Sequence, residues 1–124
     1  MSTNPKIARG AAAEQLAAEY LQARGAKVLA RNLRCRAGEL DLVCLDGSVL
    51  AIVEVRQRVR MEFGGALASV NAFKQRKLIR ATRYFWQRNL QWHALPVRFD
   101  VVGVEGLPDA APRIHWIKDA FRAT

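Results

Sequence analysis

The stretch Gly38-Glu39-Leu40-Asp41-Leu42-Val43-Cys44-Leu45-Asp46-Gly47-Ser48-Val49-Leu50-Ala51-Ile52-Val53-Glu54-Val55-Arg56 constrains the fold most, because it sets carboxylates inside two otherwise apolar runs. Runs this apolar read as strands buried on both faces, and such strands lie at the centre of sheets covered by helices. The Asp46-Gly47 step between them is a hairpin signal. Ionised carboxylates are rarely buried unless they are paired or bind a cation. Asp41 and Glu54 therefore ask for a partner that a plain core does not supply.

Parity decides where these acids point. Side chains alternate across a strand, so Glu39, Asp41, Val43 and Leu45 share one face, as do Leu50, Ile52, Glu54 and Arg56 on the returning strand. The opposite face (Leu40, Leu42, Cys44, Val49, Ala51, Val53, Val55) is apolar. A two-residue turn at Asp46-Gly47 opposes Asp41 to Ile52, with Glu54 one step diagonal. A turn at Gly47-Ser48 opposes Asp41 directly to Glu54, whereas a three-residue turn sends the two acids to opposite faces. Either even-length turn brings Asp41, Glu54 and Arg56 to one surface.

The rest of the chain reads as one domain over residues 1–124. Asn4-Pro5 opens a helix that runs to about Arg24, where Gly25 ends it. A strand over Lys27–Arg34 precedes the hairpin, and Met61–Gly65 is a loop. A basic helix spans Asn71–Asn89 with Asn71 as its cap. Pro96 precedes a strand over Val97–Glu105. Leu107–Pro112 is turn-like, and Arg113–Ile117 is a short last strand. The order αβββαβ implies an α/β sandwich, a central mixed sheet flanked by helices. At 51% hydrophobic and 25% charged residues, the composition is that of a folded domain rather than a disordered chain. No apolar run approaches the roughly 18 residues of a membrane span, and no basic-then-apolar signal opens the chain. Cys35 and Cys44 match neither a disulfide framework nor metal-ligand spacing, so a reduced, cytoplasmic setting is expected.

Charge is distributed unevenly. The net charge is +9, and no acid occurs from Phe63 to Phe99, where Lys74, Arg76, Lys77, Arg80, Arg83, Arg88 and Arg98 lie. Such a block favours phosphate backbones, the alternative being a solvated face or an anionic membrane. On the first helix Ile7, Glu14 and Leu21 recur at heptad spacing, with Ala11 and Ala18 beside them. Glu14 thus enters the stripe expected to pack on the sheet, as a third acid, a stripe-edge residue or the partner of an arginine. On the second helix Phe73, Leu78, Ala81, Tyr84 and Phe85 form the apolar stripe. Lys74 and Lys77 fall within it, either snorkelling outward or reaching the acids. Trp86 and Ile79 face the other way, toward a second chain or Trp92. Asp100 is expected to meet Arg98 only through cross-strand partners, or to be a further acid.

Convergent carboxylates with oxygen-only ligands suit Mg²⁺ or Mn²⁺ rather than zinc. Beside a basic helix they suit phosphodiester hydrolysis, since glycosidase chemistry calls for aromatic sugar platforms instead. Acid, hairpin, then Glu-x-basic resembles the PD-(D/E)xK nuclease superfamily. More closely, the chain resembles the YraN family of small bacterial endonuclease-like proteins. The resemblance rests on Gly10 with Glu14 and Ala17, Gly25, Asn32, Gly38-Glu39-Leu40-Asp41-Leu42, Val53-Glu54-Val55 with Arg58, Phe63-Gly64, Lys74, Arg98-Phe99-Asp100-Val101-Val102, and His115 to Phe121. It implies a restriction-endonuclease-like three-layer sandwich and a metal-dependent endonuclease acting on DNA more than RNA, on branched or structured substrates. It further implies metal at Asp41, Glu54 and the Val55 carbonyl, with Glu14 as the helix acid and Lys74 at the site. Arg58, Lys74, Arg76, Lys77, Arg80 and Arg83 would contact nucleic acid, and a homodimer would cut two strands. Arg56 stands where the motif has lysine. Arginine stays protonated and cannot be a base. That leaves a relocated lysine, a slow enzyme, or a DNA-binding protein with a degenerate site.

Overall fold

The computed structural model describes residues 5–58, 65–106 and 111–123, with side chains from Gly10 onward in the first helix. The Asn4 cap, the Ile7 side chain, Phe63-Gly64 and most of the two loops expected around residues 61–65 and 107–112 lie outside these bounds. Helix α1 (Pro5–Ala23) leads into strands β1 (Lys27–Cys35), β2 (Gly38–Asp46) and β3 (Val49–Arg58). Helices α2 (Gly65–Ala68) and α3 (Ala72–Gln87), with a 3₁₀ turn over Leu90–Ala94, carry the chain across to β4 (Val97–Glu105) and β5 (Arg113–Phe121).

Local chemistry explains the helix ends. The Ala26 N–H donates to the Leu21 carbonyl and the Gly25 N–H to the Gln22 carbonyl, with Gly25 at φ 90°. This double bond pattern is the glycine-terminated stop expected at that position. Asn71 caps α3, its side chain accepting from the Lys74 N–H at 3.0 Å.

The sheet runs β1-β2-β3-β4-β5, antiparallel except for the parallel β3–β4 pair. Among the described residues this is a mixed α/β architecture with helices on both faces of one five-stranded sheet. Ala13, Ala17, Ala18 and Leu21 of α1 pack on Leu42, Cys44, Ala51, Val53, Val102 and Val104. The small alanines let the helix axis approach the sheet closely. On the other face, Val70, Leu78 and Ala81 pack on Leu40, Val43, Leu50, Ile52, Phe99 and Val101. No described helix is long and apolar enough to cross a membrane.

The structure chooses between the two expected even-length turns and corrects other expectations. Asp46 pairs with Val49, so Gly47 and Ser48 form the turn. This is the register that sends Asp41 toward Glu54. Strict alternation fails in β2, because Leu40 and Leu42 are both buried yet belong to cores on opposite faces. The sheet changes facing at Asp41, and across from it Asn32 of β1 adopts φ 52°. The last strand is longer than expected and reaches Phe121. Ala11 is exposed, as are Phe73 and Tyr84 from the supposed apolar stripe of α3. Trp86 stacks on His93 at 3.6 Å, rather than on Trp92. With Ile79 it lines a groove of about 620 Å³ against β4 and β5 of its own chain.

Candidate metal and nucleic-acid site

The site forms where β2 changes facing. Asp41 Oδ2 accepts from the Val55 N–H at 2.9 Å, just beyond the last paired residues, Leu42 and Val53. Asp41 and Glu54 line one cleft, close enough for Glu54 to raise the Asp41 pKa. Carboxylate oxygens of Glu14, Glu39 and Asp41 lie within 4.8 Å of one another. Glu14 reaches this point from α1, whose exposed edge is tied to β1 by the Arg31 Nη1–Gln15 Oε1 bond of 2.7 Å. The neighbouring Asn32 side chain favours the charged form of Glu14, against the burial that raises its pKa.

Electrostatically the cluster is under tension. Burial, and next the neighbouring Glu54, push the Asp41 carboxyl up to about 8. Only the Val55 N–H and the positive charge of Arg56 pull it down. Burial and then the charge of Asp41 raise Glu14 as well. Carboxylates gathered this closely are stabilised either by protons or by a cation.

Cations border the acids without neutralising them. Lys74 and Lys77 line a cleft of about 260 Å³ together with Gly38, Glu39, Asp41, Glu54 and Leu78. Neither lysine forms an ion pair among the described residues. Gly38 sits at φ 154°, and a Cβ there would meet the Lys77 carbonyl at 3.6 Å. The contact itself is ordinary, and it is the backbone conformation that favours glycine where α3 packs on the start of β2. The Arg56 Nε donates to Ser69 Oγ at 2.9 Å, and Ser69 Oγ donates to the Ala66 carbonyl at 2.6 Å. Burial, then the charge of Arg58, lower the Arg56 pKa, while Glu54 and Asp41 oppose this.

The expected residues are thus sorted by position. Glu14, Asp41, Glu54, Arg56, Lys74 and Lys77 converge. Arg58 lies beside Arg56 but turns its Nη1 back to the Gln57 carbonyl at 3.0 Å. Arg76 and Arg80 are exposed on α3. Arg83 faces the groove beside β4 and β5, away from the cleft. Glu39 belongs to the cluster and was not among the expected site residues, although its parity with Asp41 is legible. Asn32 is one of the residues that carry the family resemblance, whereas nothing in the pattern marks Ser69.

Asp100 is elsewhere and structural. It is wholly buried, and Arg98 grips it in a fork, Nε to Oδ1 at 2.8 Å and Nη2 to Oδ2 at 2.7 Å. Trp116 Nε1 and the Asp119 N–H add donors at 3.0 Å each. The same Arg98 Nη2 bonds Asp46 at 2.8 Å. A direct pair at this spacing, contrary to expectation, is favoured by the irregular pairing of β4 with β5 between Phe99 and Val101.

Fold and site define a small α/β domain whose central hairpin carries a carboxylate cluster facing a basic helix. A family model described as "Uncharacterised protein family UPF0102" matches residues 13–104, and the chain belongs to that family. It is 48% identical over 112 residues to a UPF0102 protein of Pseudomonas putida KT2440, covering 90% of each chain. A UPF0102 protein of Pseudomonas fluorescens Pf0-1 is 43% identical over 121 residues, covering 98% of each. One from Pseudomonas entomophila L48 is 46% identical over 112 residues, or 90% of this chain and 91% of the other.

Proposed function

We propose that this protein is a metal-dependent endonuclease that hydrolyses DNA phosphodiester bonds in the cytoplasm, using a restriction-endonuclease-like, PD-(D/E)xK-type domain. One observation carries this: oxygens of Glu14, Glu39 and Asp41 lie within 4.8 Å of one another, beside Glu54, Lys74 and Lys77, neither lysine ion-paired among the described residues. An all-oxygen set fits a hard divalent cation, Mg²⁺ or Mn²⁺, which would offset the burial and the Glu54 charge that raise the Asp41 carboxyl. Asp41, Glu54 and the Val55 carbonyl would hold it, with Glu14 and Glu39 beside them. When bound, such an ion polarises a phosphoryl oxygen and acidifies a water.

The chain's own groups supply the rest. Lys74 and Lys77 position the scissile phosphate across the cleft from the acids. Arg56, always protonated, contributes charge toward the developing oxyanion and takes no proton. Lys74 is the ammonium available where the motif lysine is absent. Backbone and shape rather than sequence are read, consistent with branched or structured substrates. The acid cluster is complete within one chain, so a homodimer would serve to cut two strands rather than to build the site.

A second reading is favoured by Arg56, whose Nε is committed to Ser69. It is a nucleic-acid-binding protein that has lost catalysis. Titrating Mg²⁺ and Mn²⁺ against labelled linear, flapped and four-way DNA separates the two. Cleavage that disappears in Asp41→Ala and Glu54→Ala, with circular dichroism unchanged, supports the nuclease. Metal-independent binding without cleavage, unaltered in both variants, supports the second reading.

A further inference from the structure

Helix α3 turns Phe85 and Trp86 toward the core but leaves its other two aromatics outward. Leu78, Ala81 and Thr82 are its buried residues. Phe73 is 59% exposed and Tyr84 39% exposed. At about 100° per residue, Phe73, Lys77, Arg80, Tyr84 and the capping Arg88 fall on one outward stripe. Two cations lie between the rings and a third follows the second ring. Lys77 Nζ lies 5.7 Å from the Phe73 ring centroid, and Arg88 Cζ lies 3.6 Å from that of Tyr84. The helix contains no acid, and no described ion pair engages Lys77, Arg80 or Arg88.

We propose that this stripe is a track for an unpaired DNA strand, with bases stacking on Phe73 and Tyr84 and phosphates held by Lys77, Arg80 and Arg88. It rests on the reading above that DNA is the ligand, and it names the form of DNA. Charge alone suits any polyanion. The exposed rings discriminate, because a duplex hides its base faces in the stack and offers a ring nothing to cover. A single strand presents both phosphates and open π-faces. Phe73 and Tyr84 are eleven residues apart, about 16 Å along the helix at 1.5 Å per residue, a span of a few nucleotides. Lys77 belongs both to the stripe and to the acid cleft, so a strand on the track leads to the carboxylates.

The test is fluorescence anisotropy in EDTA with oligo(dT) and with a duplex of equal length, so that hydrolysis plays no part. Oligo(dT) should bind more tightly. Phe73→Ala should weaken oligo(dT) binding about tenfold and leave the duplex unchanged, while Phe73→Trp restores it. Phe73 is 59% exposed and belongs to neither core cluster of the described residues, so its replacement should leave the domain folded. Arg80→Ala should weaken both probes and flatten their salt dependence. Equal losses for strand and duplex on Phe73→Ala, or no loss at all, overturn the track while DNA binding stands. Binding to neither probe overturns the track and the choice of DNA together. Thermal stabilisation by Mg²⁺ then judges the acid cluster separately.

Discussion

Replacing Asp41 by Asn should stabilise the metal-free protein in mild alkali and leave it nearly unchanged in acid. Burial and Glu54 raise the Asp41 carboxyl from an ordinary 3.8 to about 8. The folded protein therefore keeps a proton that the unfolded chain releases. Stability present in full below about pH 4 is lost as pH rises toward about 8. Asparagine keeps an acceptor for the Val55 N–H, now 2.9 Å from Asp41 Oδ2, and brings an amide donor in place of a carboxylate beside Glu54. The magnitude follows from the separation of the Glu14, Glu39 and Asp41 oxygens, within 4.8 Å. Like charges at that distance repel by about 1 kcal/mol in water and about 3.5 kcal/mol at an effective dielectric of 20. The half-buried site falls between these limits, so the variant should gain about 2 kcal/mol near pH 9. For a domain of this size that is about 5–8 °C in Tm. Calorimetric melts in EDTA from about pH 5 to pH 9 give the comparison. A variant that melts at or below the parent near pH 9, or with an offset independent of pH, would refute the account. Adding Mg²⁺ should raise the parent's Tm and not the variant's.

Other outcomes follow from the same geometry. Asp100→Asn should cost about 3–5 kcal/mol by leaving Arg98 without its buried partner, and kcat measured below the melting range should be unchanged. Arg56→Ala should slow metal-dependent hydrolysis by about 10²–10³-fold, whereas Arg56→Lys should retain most of the rate, as single-turnover kinetics would record. Burial pushes the Cys44 thiol up to about 12, whereas Cys35 is only half-buried. A thiol-reactive chromophore at pH 8 should therefore label Cys35 alone in the native protein and both thiols in urea.

Features governed by near neighbours were legible in the sequence. The Asn71 cap and the Gly25 stop each depend on hydrogen bonds within a few residues, and both formed where the pattern put them. The strand Val97–Glu105 has the bounds expected from Pro96 and its apolar run. Composition and the apolar hairpin were enough to require a sheet covered by helices, and the misplaced Asp41 and Glu54 were enough to mark the candidate site.

What the sequence left open depends on segments meeting from far along the chain. Both two-residue turns satisfied the local pattern, and the pairing of β3 with β4 and the packing on each face selected Gly47-Ser48. Glu39 joined the cluster, and Leu40 changed faces, because β2 twists between α1 and α3, a strain no alternation rule contains. Arg98 and Asp100 could pair directly only because β5 kinks beside them, with Asp119 at φ 54°. The chain by itself determined which residues are too polar for their surroundings. Tertiary packing decided which of them meet, because distance between side chains is set by how helices and strands fit together rather than by their spacing along the backbone.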